Sequence, residues 1–417
     1  LLLNLHTICG YWLREGDTVR HPGALAAPLR PIAQVAPPVP AYGFGEKLRV
    51  RGLTNTAAGM PTGALADEIL LEGPGKVRAL ISCGGNPVGA WPDQRKTVRA
   101  MQSLDLLVQI DPWMSGTSKL ADYVIAPRIW LEVPGTSQVL DWLTRNGTGY
   151  GQSDPYAQYS PAIADPPEGS DLIEEWEFFY HLAREMGLAL KVLPQLGPDM
   201  PAVPLDMTTK PTTDELLTLL CEGSRVPLDA VKALDGGAVF PDPAVHVLSG
   251  DRESPHRFRL ADPAMLADLT DTLGTSGQTA RPFRLVCRRM MHVYNSSFVG
   301  ALPASARPYN PAFMSPDDMA RLGLADGDAI TIQSDSDAIA AIAHGDANLR
   351  PGLVSISFGF GDLPGREASL MTMGSNPNRL IPDDRVFDRY SGQPLMTNIP
   401  VSVSTVMPAP AEAQPIT

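Results

Sequence analysis

The residues whose types and spacing could do chemistry crowd into one stretch, Ala79 to Thr136. An apolar run, Ala-Leu-Ile-Ser-Cys, empties into Gly84-Gly85-Asn86-Pro87, and a second run, Leu104 to Ile110, ends on Asp111. Ser115-Gly116-Thr117 follows, then Ala121 to Pro127 with Asp122 near its start. Glycines admit close backbone approach. Amide and hydroxyl side chains donate and accept at once, and a carboxylate accepts strongly from N–H donors. Gathered where apolar strands end, such groups suit a crevice that holds a nucleotide-like cofactor. Taken alone, the same residues read as an ordinary turn at Gly84 to Pro87 and a helix cap at Asp111.

The elements that must position these residues follow from the pattern around them. Residues 62 to 73 and 92 to 103 have helical spacing and alternate with the apolar runs, which predicts a parallel sheet. Ser170 to Ala183 is amphipathic, so a helix is expected over 170 to 187 with Ser170 as its cap. Its apolar side is expected to close the α/β layer. Residues 20 to 45, rich in Pro and Gly, read as a long loop draped over a ligand site. Leu1 to Gly10 reads as the last turns of an amphipathic helix stopped by a glycine. It has no initiator Met, basic leader or cleavage site, and the expectation is that the chain begins inside a domain.

Farther along, short helical pieces at 212 to 222 and 263 to 273 alternate with Pro- and Gly-rich turns, and Gly274 to Thr279 resembles a linker. No chemistry is visible there. Beyond Pro282, strands are predicted near 283 to 288, 329 to 334, 338 to 343, 353 to 357 and 400 to 406, spaced as in a closed barrel. The chain thus divides into 1–193, a partial α/β domain, 194–281, a helical and loop-rich connection, and 282–417, a β-barrel.

Composition limits the functions available. The chain has 417 residues, 46 acidic against 33 basic, and a net charge of -13, which disfavours nucleic acid as a partner. A polyanionic ligand would need a local basic pocket. No apolar stretch approaches the roughly 20 residues of a spanning helix. Cys9, Cys83, Cys221 and Cys287 are solitary, so buried thiols are expected rather than disulfides or a Cys-x-x-Cys site, and a reducing, cytoplasmic compartment fits them.

Taken together, the motifs resemble a known family. Gly84 to Pro87, Gln109 to Thr117 (Gln-Ile-Asp-x-Trp-x-Ser-Gly-Thr), Ala121 to Pro127, Glu132 to Thr136, Ser315 to Asp318 and Gly327 to Ile332 occur in the order seen in molybdopterin oxidoreductases. The type is that of dimethyl sulfoxide reductase and formate dehydrogenase. Each motif is weak alone, whereas their order over nearly the whole chain is specific. The resemblance covers the family's carboxyl-terminal half only: part of a parallel-sheet, Rossmann-like α/β domain followed by a double-psi β-barrel.

That resemblance implies a molybdopterin guanine dinucleotide cofactor carrying molybdenum or tungsten. Gly84, Gly85, Asn86, Pro87, Asp111, Ser115, Thr117 and Asp122 would then hold it from the α/β side. In the barrel, Arg289, His292, Asn295 and Ser296 match the family segment that grips the dinucleotide, and guanidinium forks suit a pyrophosphate. The alternative reading of Arg288 and Arg289 is a solvated strand edge, and that of His292 a buried, satisfied histidine. Asn376 and Asn378, in Gly374 to Leu380, match the terminal loop that reads the pterin edge. Met396, Thr397 and Asn398 stand where the family often has a cation.

The same resemblance places the metal ligand and a 4Fe-4S cluster in an amino-terminal half, where any export signal would also lie. Catalytic residues and a metal ligand are therefore not assigned, and the partners expected are that missing half or a redox subunit, and a small-molecule substrate. The function implied is the cofactor-holding portion of a two-electron oxidoreductase, inactive alone. The alternative is a non-catalytic cofactor-binding or assembly subunit. A nicotinamide dehydrogenase is disfavoured, because no Gly-x-Gly-x-x-Gly occurs at a strand-to-helix turn.

Overall fold

The computed structural model describes residues 1–19, 23–57, 59–144, 154–196, 201–241, 244–274, 281–291, 293, 295–296, 309–361, 363–365 and 370–405. His292 and the expected linker at 275–279 lie outside them. The contacts group the chain into two compact units, Leu1–Val39 with Pro127–Ser276, and Pro40–Ala126 with Gly277–Thr417. Both units are assembled from non-contiguous segments, whereas the sequence reading divides the chain linearly.

The second unit opens with an antiparallel pair, β1 (Tyr42–Lys47) and β2 (Thr54–Thr56). Helix α1 (Leu65–Leu70) follows a single 3-10 turn at Thr62–Ala64, so the helix expected over 62 to 73 is shorter than its apolar spacing implies. Strand β3 (Ala79–Cys83) leads to α2 (Pro87–Ala90), then α3 (Gln94–Gln102), β4 (Leu106–Ile110) and β5 (Tyr123–Ile125). The three strands form a parallel sheet in the order β3-β4-β5, with Ile81 opposite Val108 and Val108 opposite Tyr123. Leu107 packs from this sheet against Ala66, Ile69, Ala100 and Met101 of the two longer helices, which fixes their apolar faces. Pro87 at the first helical position and the Asn86 side chain start α2.

The same unit contains the barrel. β6 (Phe283–Arg288), β7 (Ala312–Met314), α4 (Pro316–Leu322), β8 (Ala329–Gln333), β9 (Ala338–Gly345), β10 (Leu353–Ser357) and β11 (Ile399–Ser404) follow in chain order. The six strands close in the order β6-β10-β7-β9-β8-β11. The β6/β10 and β7/β9 pairs are parallel and the rest antiparallel. Inward residues fill the interior, among them Phe283, Leu285, Met314, Ile330, Ile332, Val354, Ile356 and Val401. Each is worth roughly 1.5 to 3 kcal/mol when fully buried. Five of these strands match the expected ones. The sixth, β7, has only three residues, too few for periodicity to reveal it. The fold is thus mixed α/β with a closed six-stranded carboxyl-terminal barrel.

The first unit is made of short helices and two-stranded ribbons. Its amino-terminal helix, Leu2–Cys9, ends on Gly10 in the left-handed region, at φ 70, and buries no residue. Part of the expected 20–45 loop is strand, at Ile32–Ala33 and the start of β1. The helix expected from Ser170 runs over Glu175–Glu185, and the Glu174 N–H donates to the Glu177 carboxylate at its start. Ser170 does not cap it, because Ile173 is drawn into a parallel bridge with Pro127 and accepts the Arg128 N–H at 2.8 Å. Helices at Thr213–Leu220 and Pro263–Gly274 agree with expectation.

Only Cys221 is a buried thiol. Cys9, Cys83 and Cys287 are exposed, correcting the expected burial: Cys9 sits on a helix with no buried face, and Cys83 and Cys287 end or nearly end their strands. Among the described residues no helix is long and apolar enough to cross a membrane.

Candidate functional site

Because β3, β4 and β5 run parallel and in register, their carboxyl ends open at one edge of the sheet. β3 passes into Gly84 at φ 62, a conformation that strains other residues, and a Cβ there would meet no atom within 4 Å. The backbone is therefore both sharply turned and accessible. The Gly84 N–H is tied to the Ile110 carbonyl at 2.8 Å, keeping the two strand ends together.

Asn86 is a four-way knot. Its Oδ1 accepts from the Gly89 N–H at 3.3 Å, the Thr117 N–H at 3.2 Å and the Thr117 hydroxyl at 2.9 Å. Its Nδ2 donates to the Ser296 carbonyl at 2.9 Å. Thr117 is fully buried, and its Oγ1 also accepts the Val88 N–H at 3.1 Å. These two side chains shape the crevice by joining its walls.

Asp111, 3% exposed, closes an Asx turn instead of capping a helix: Oδ1 accepts the Trp113 N–H at 2.9 Å and Oδ2 accepts from Gln109 Nε2 at 3.2 Å. Ser115 pairs with the Ser118 hydroxyl at 3.0 Å. Asp122 is placed differently. Its Oδ2 accepts the Leu107 N–H at 2.7 Å, which puts it at the amino-terminal end of β4, away from the edge that carries Gly84 and Asp111.

The barrel contributes loops to the same crevice. Arg288 is committed to Asp346 at 2.8 Å and lies 3.8 Å from the centroid of Phe313; its guanidinium holds the Asp346 carboxyl below the usual range. Arg289 is exposed, donates to Asn295 Oδ1 at 3.3 Å and stands 5.4 Å from the Phe358 ring. Gly359, at φ 81, approaches so closely that a Cβ would fall 2.5 Å from the Asn295 carbonyl. Asn310 stitches two more loops, donating to the carbonyls of Ser357 at 2.9 Å and Ser375 at 2.6 Å.

The turn bearing the terminal asparagines rests on α2. Asn376 Nδ2 donates to the Val88 carbonyl at 3.4 Å, and Asn378 Nδ2 to the Gly89 carbonyl at 3.0 Å. The Asn376 Oδ1 accepts the Asn378 N–H at 2.9 Å, starting a 3-10 turn over Pro377–Leu380. The structure therefore brings Gly84 to Pro87, Asp111 and Thr117 together with Ser296, Asn376 and Asn378. Asn295 and Arg289 lie alongside through Gly359 and Phe358, and Asp122 is left out.

Among the described residues, two buried amide oxygens at these strand ends and turns have no hydrogen-bond donor, Gln109 Oε1 and Asn378 Oδ1. Leaving a buried acceptor unpaired costs about 1 to 3 kcal/mol, which a donor from an ordered water or a ligand would recover. Gln109 is fully buried and its Nε2 is fixed on the Gly85 carbonyl at 2.7 Å, leaving only the oxygen to offer. Sequence reasoning passed over Gln109 as a site residue, although an amide inside the apolar run Leu-Leu-Val-Gln-Ile was the signal. Among the described residues no group of three His, Cys, Asp or Glu side chains is arranged to hold a metal ion.

Residues 283–400, the barrel with its loops, match the molydopterin dinucleotide binding domain. The F420-dependent formate dehydrogenase subunit alpha of Methanocaldococcus jannaschii is 27% identical over 126 residues, 30% of this chain and 16% of that protein. The periplasmic nitrate reductase of Desulfovibrio desulfuricans is 24% identical over 407 residues, covering 86% of this chain and 49% of that one. In fold, the chain superimposes on acetylene hydratase from Pelobacter acetylenicus with a TM-score of 0.56 at 18% identity, covering 83% of this chain and 46% of that one.

The barrel is thus a molybdopterin dinucleotide-binding domain. Over 86% of its length the chain is similar to the nitrate reductase, and it spans about half the length of that relative.

Proposed function

We propose that this chain holds a molybdopterin guanine dinucleotide in the crevice between the carboxyl ends of β3 and β4 and the Asn376–Leu380 turn. The observation that carries the reading is the pair of buried, donor-less oxygens on Gln109 and Asn378. Guanine and pterin edges are rich in N–H donors, so the residues present fit the group. Asp111, buried and acidic, is a further acceptor at the same edge. Gly84 leaves room for close approach, and the exposed Arg289 guanidinium suits a pyrophosphate. Asn86 and Thr117 act by holding the walls in place. In this reading the three-stranded sheet is part of a Rossmann-like domain and the barrel has double-psi topology.

When bound, the cofactor supplies a molybdenum or tungsten centre for two-electron redox chemistry. The chain's own residues bind and orient it. The metal ligand, any 4Fe-4S cluster, the electron acceptor and the substrate funnel are assigned to further polypeptide, on this chain or on a partner. The names of the relatives span formate, nitrate and acetylene, so no substrate is carried across.

The test is pterin content. Produced in a host that makes the dinucleotide cofactor, the purified chain should release pterin on denaturation. Arg289→Ala should lower that content about tenfold, which corresponds to roughly 1.4 kcal/mol of affinity, with an unchanged melting temperature. Pterin-free wild-type protein, or full retention by the variant, overturns the proposal.

A further inference from the structure

The segment from Asn376 to Asp383 lies along α2 and α3 through a stepped series of bonds. Asn376 and Asn378 bond Val88 and Gly89; farther on, Arg379 Nε donates to Gln94 Oε1 at 2.8 Å and the Asp93 N–H to the Ile381 carbonyl at 3.1 Å. The series ends on Lys96 Nζ, 2.6 Å from Asp383 Oδ1. That last contact belongs to a network of two cations and two anions. Lys96 is also 3.0 Å from Asp67 Oδ1, and Arg51 pairs with Asp67 and lies 3.9 Å from Asp383 Oδ1. Arg51 also sits over the Phe387 ring at 4.7 Å. Asp383 is 1% exposed, and both its Oδ2 and Arg51 Nη1 are buried without partners among the described residues.

Stability alone is a poor reason for such a network. Removing ions from water costs several kcal/mol each, and apolar replacements of a buried pair are often neutral or stabilising. Burial indeed pushes the Asp383 carboxyl upward. What the charges do supply is selectivity. Amides bonded to carbonyls can find other carbonyls after a one-residue slip, whereas Asp383 has one place where it meets Lys96 and Arg51 at once.

We propose that the Arg51–Asp67–Lys96–Asp383 network is a register lock that fixes the Asn376–Leu380 turn on α2 and so positions Asn378 Oδ1 for the cofactor. The link to the cofactor rests on the function proposed above, while the lock itself is independent of it. These four are positioning residues, acting on the ligand only through the turn.

The lock is tested by hydrogen exchange at the Asn378 and Ile381 amides, which are bonded to Asn376 Oδ1 at 2.9 Å and to the Asn378 carbonyl at 3.2 Å. Lys96→Met/Asp383→Leu removes one charge of each sign and leaves Arg51 with Asp67. Both amides should then exchange at least tenfold faster at an unchanged or higher melting temperature, and pterin content should fall at least fivefold. Arg95→Ala, which breaks the Arg95–Asp337 pair between α3 and the turn joining β8 to β9, should leave the exchange rates as they were. Should the double variant fail to fold, the near-isosteric Asp383→Asn must show the same acceleration. Wild-type exchange rates in either variant overturn the lock. Faster exchange in the variants of a chain that never carries pterin supports the lock and removes the cofactor reading.

Discussion

At the scale of single residues, the site separates side chains that build the crevice from those with something left to offer. Asn86 commits its oxygen and an amide N–H to Gly89, Thr117 and Ser296, so its truncation is a folding lesion. Asn86→Ala should cost about 2 kcal/mol in chemical denaturation, the order expected when buried donors lose their acceptor; a stability within 0.5 kcal/mol of wild type, a scale typical of surface substitutions, would contradict the knot. Gly374 is similarly committed: at φ 64 its absent Cβ leaves room for the Asn310 amide oxygen. Gly374→Ala should therefore destabilise by at least ~1 to 3 kcal/mol, read by the same method. Gly84 to Pro87 and Asp111 were legible in the sequence because a polar turn after an apolar run is a local signal. The division of labour among them was not legible, since it depends on partners such as Ser296, 210 positions away.

At the scale of elements, local pattern located most helices and five barrel strands but erred where a distant segment competed for the backbone. Ile173 pairs with Pro127, so the helix begins at Glu175, and the three residues of β7 gain their place only from β9 and β10. In the first unit, Cys221 ends the helix Thr213–Leu220 inside the cluster of Leu25, Val226 and Val231. Burial pushes its thiol up to about 11. A thiol raised above its unfolded value of 9.0 keeps its proton longer in the fold. Its contribution is present below pH about 9 and is lost as pH rises towards about 11. The stability gap between wild type and Cys221→Ala should accordingly narrow from pH 8 to pH 11; a constant gap would mean that the thiol is not shielded.

At the scale of the molecule, the instructive feature is that the barrel and residues 40–126 form one compact unit although about 150 residues separate them in the chain. No linear reading of composition signals this, because the joining contacts are sparse and specific. Leu363, from the loop after β10, sits in the core of Ile69, Val88 and Leu107, and Asp93, Gln94 and Lys96 hold the segment that precedes β11. If those contacts make the unit cooperative, damage in the barrel interior must be felt in the sheet. Ile330 is completely buried in the barrel, and Ile330→Ala should cost 2 to 5 kcal/mol, a range typical of such truncations. Native-state hydrogen exchange should then show the β4 amides losing protection by the same amount as those of β8, because both open in one event. Equal losses establish that the proposed cofactor crevice is built inside a single folding unit. Loss confined to the barrel would mean that its two walls fold separately and meet only afterwards.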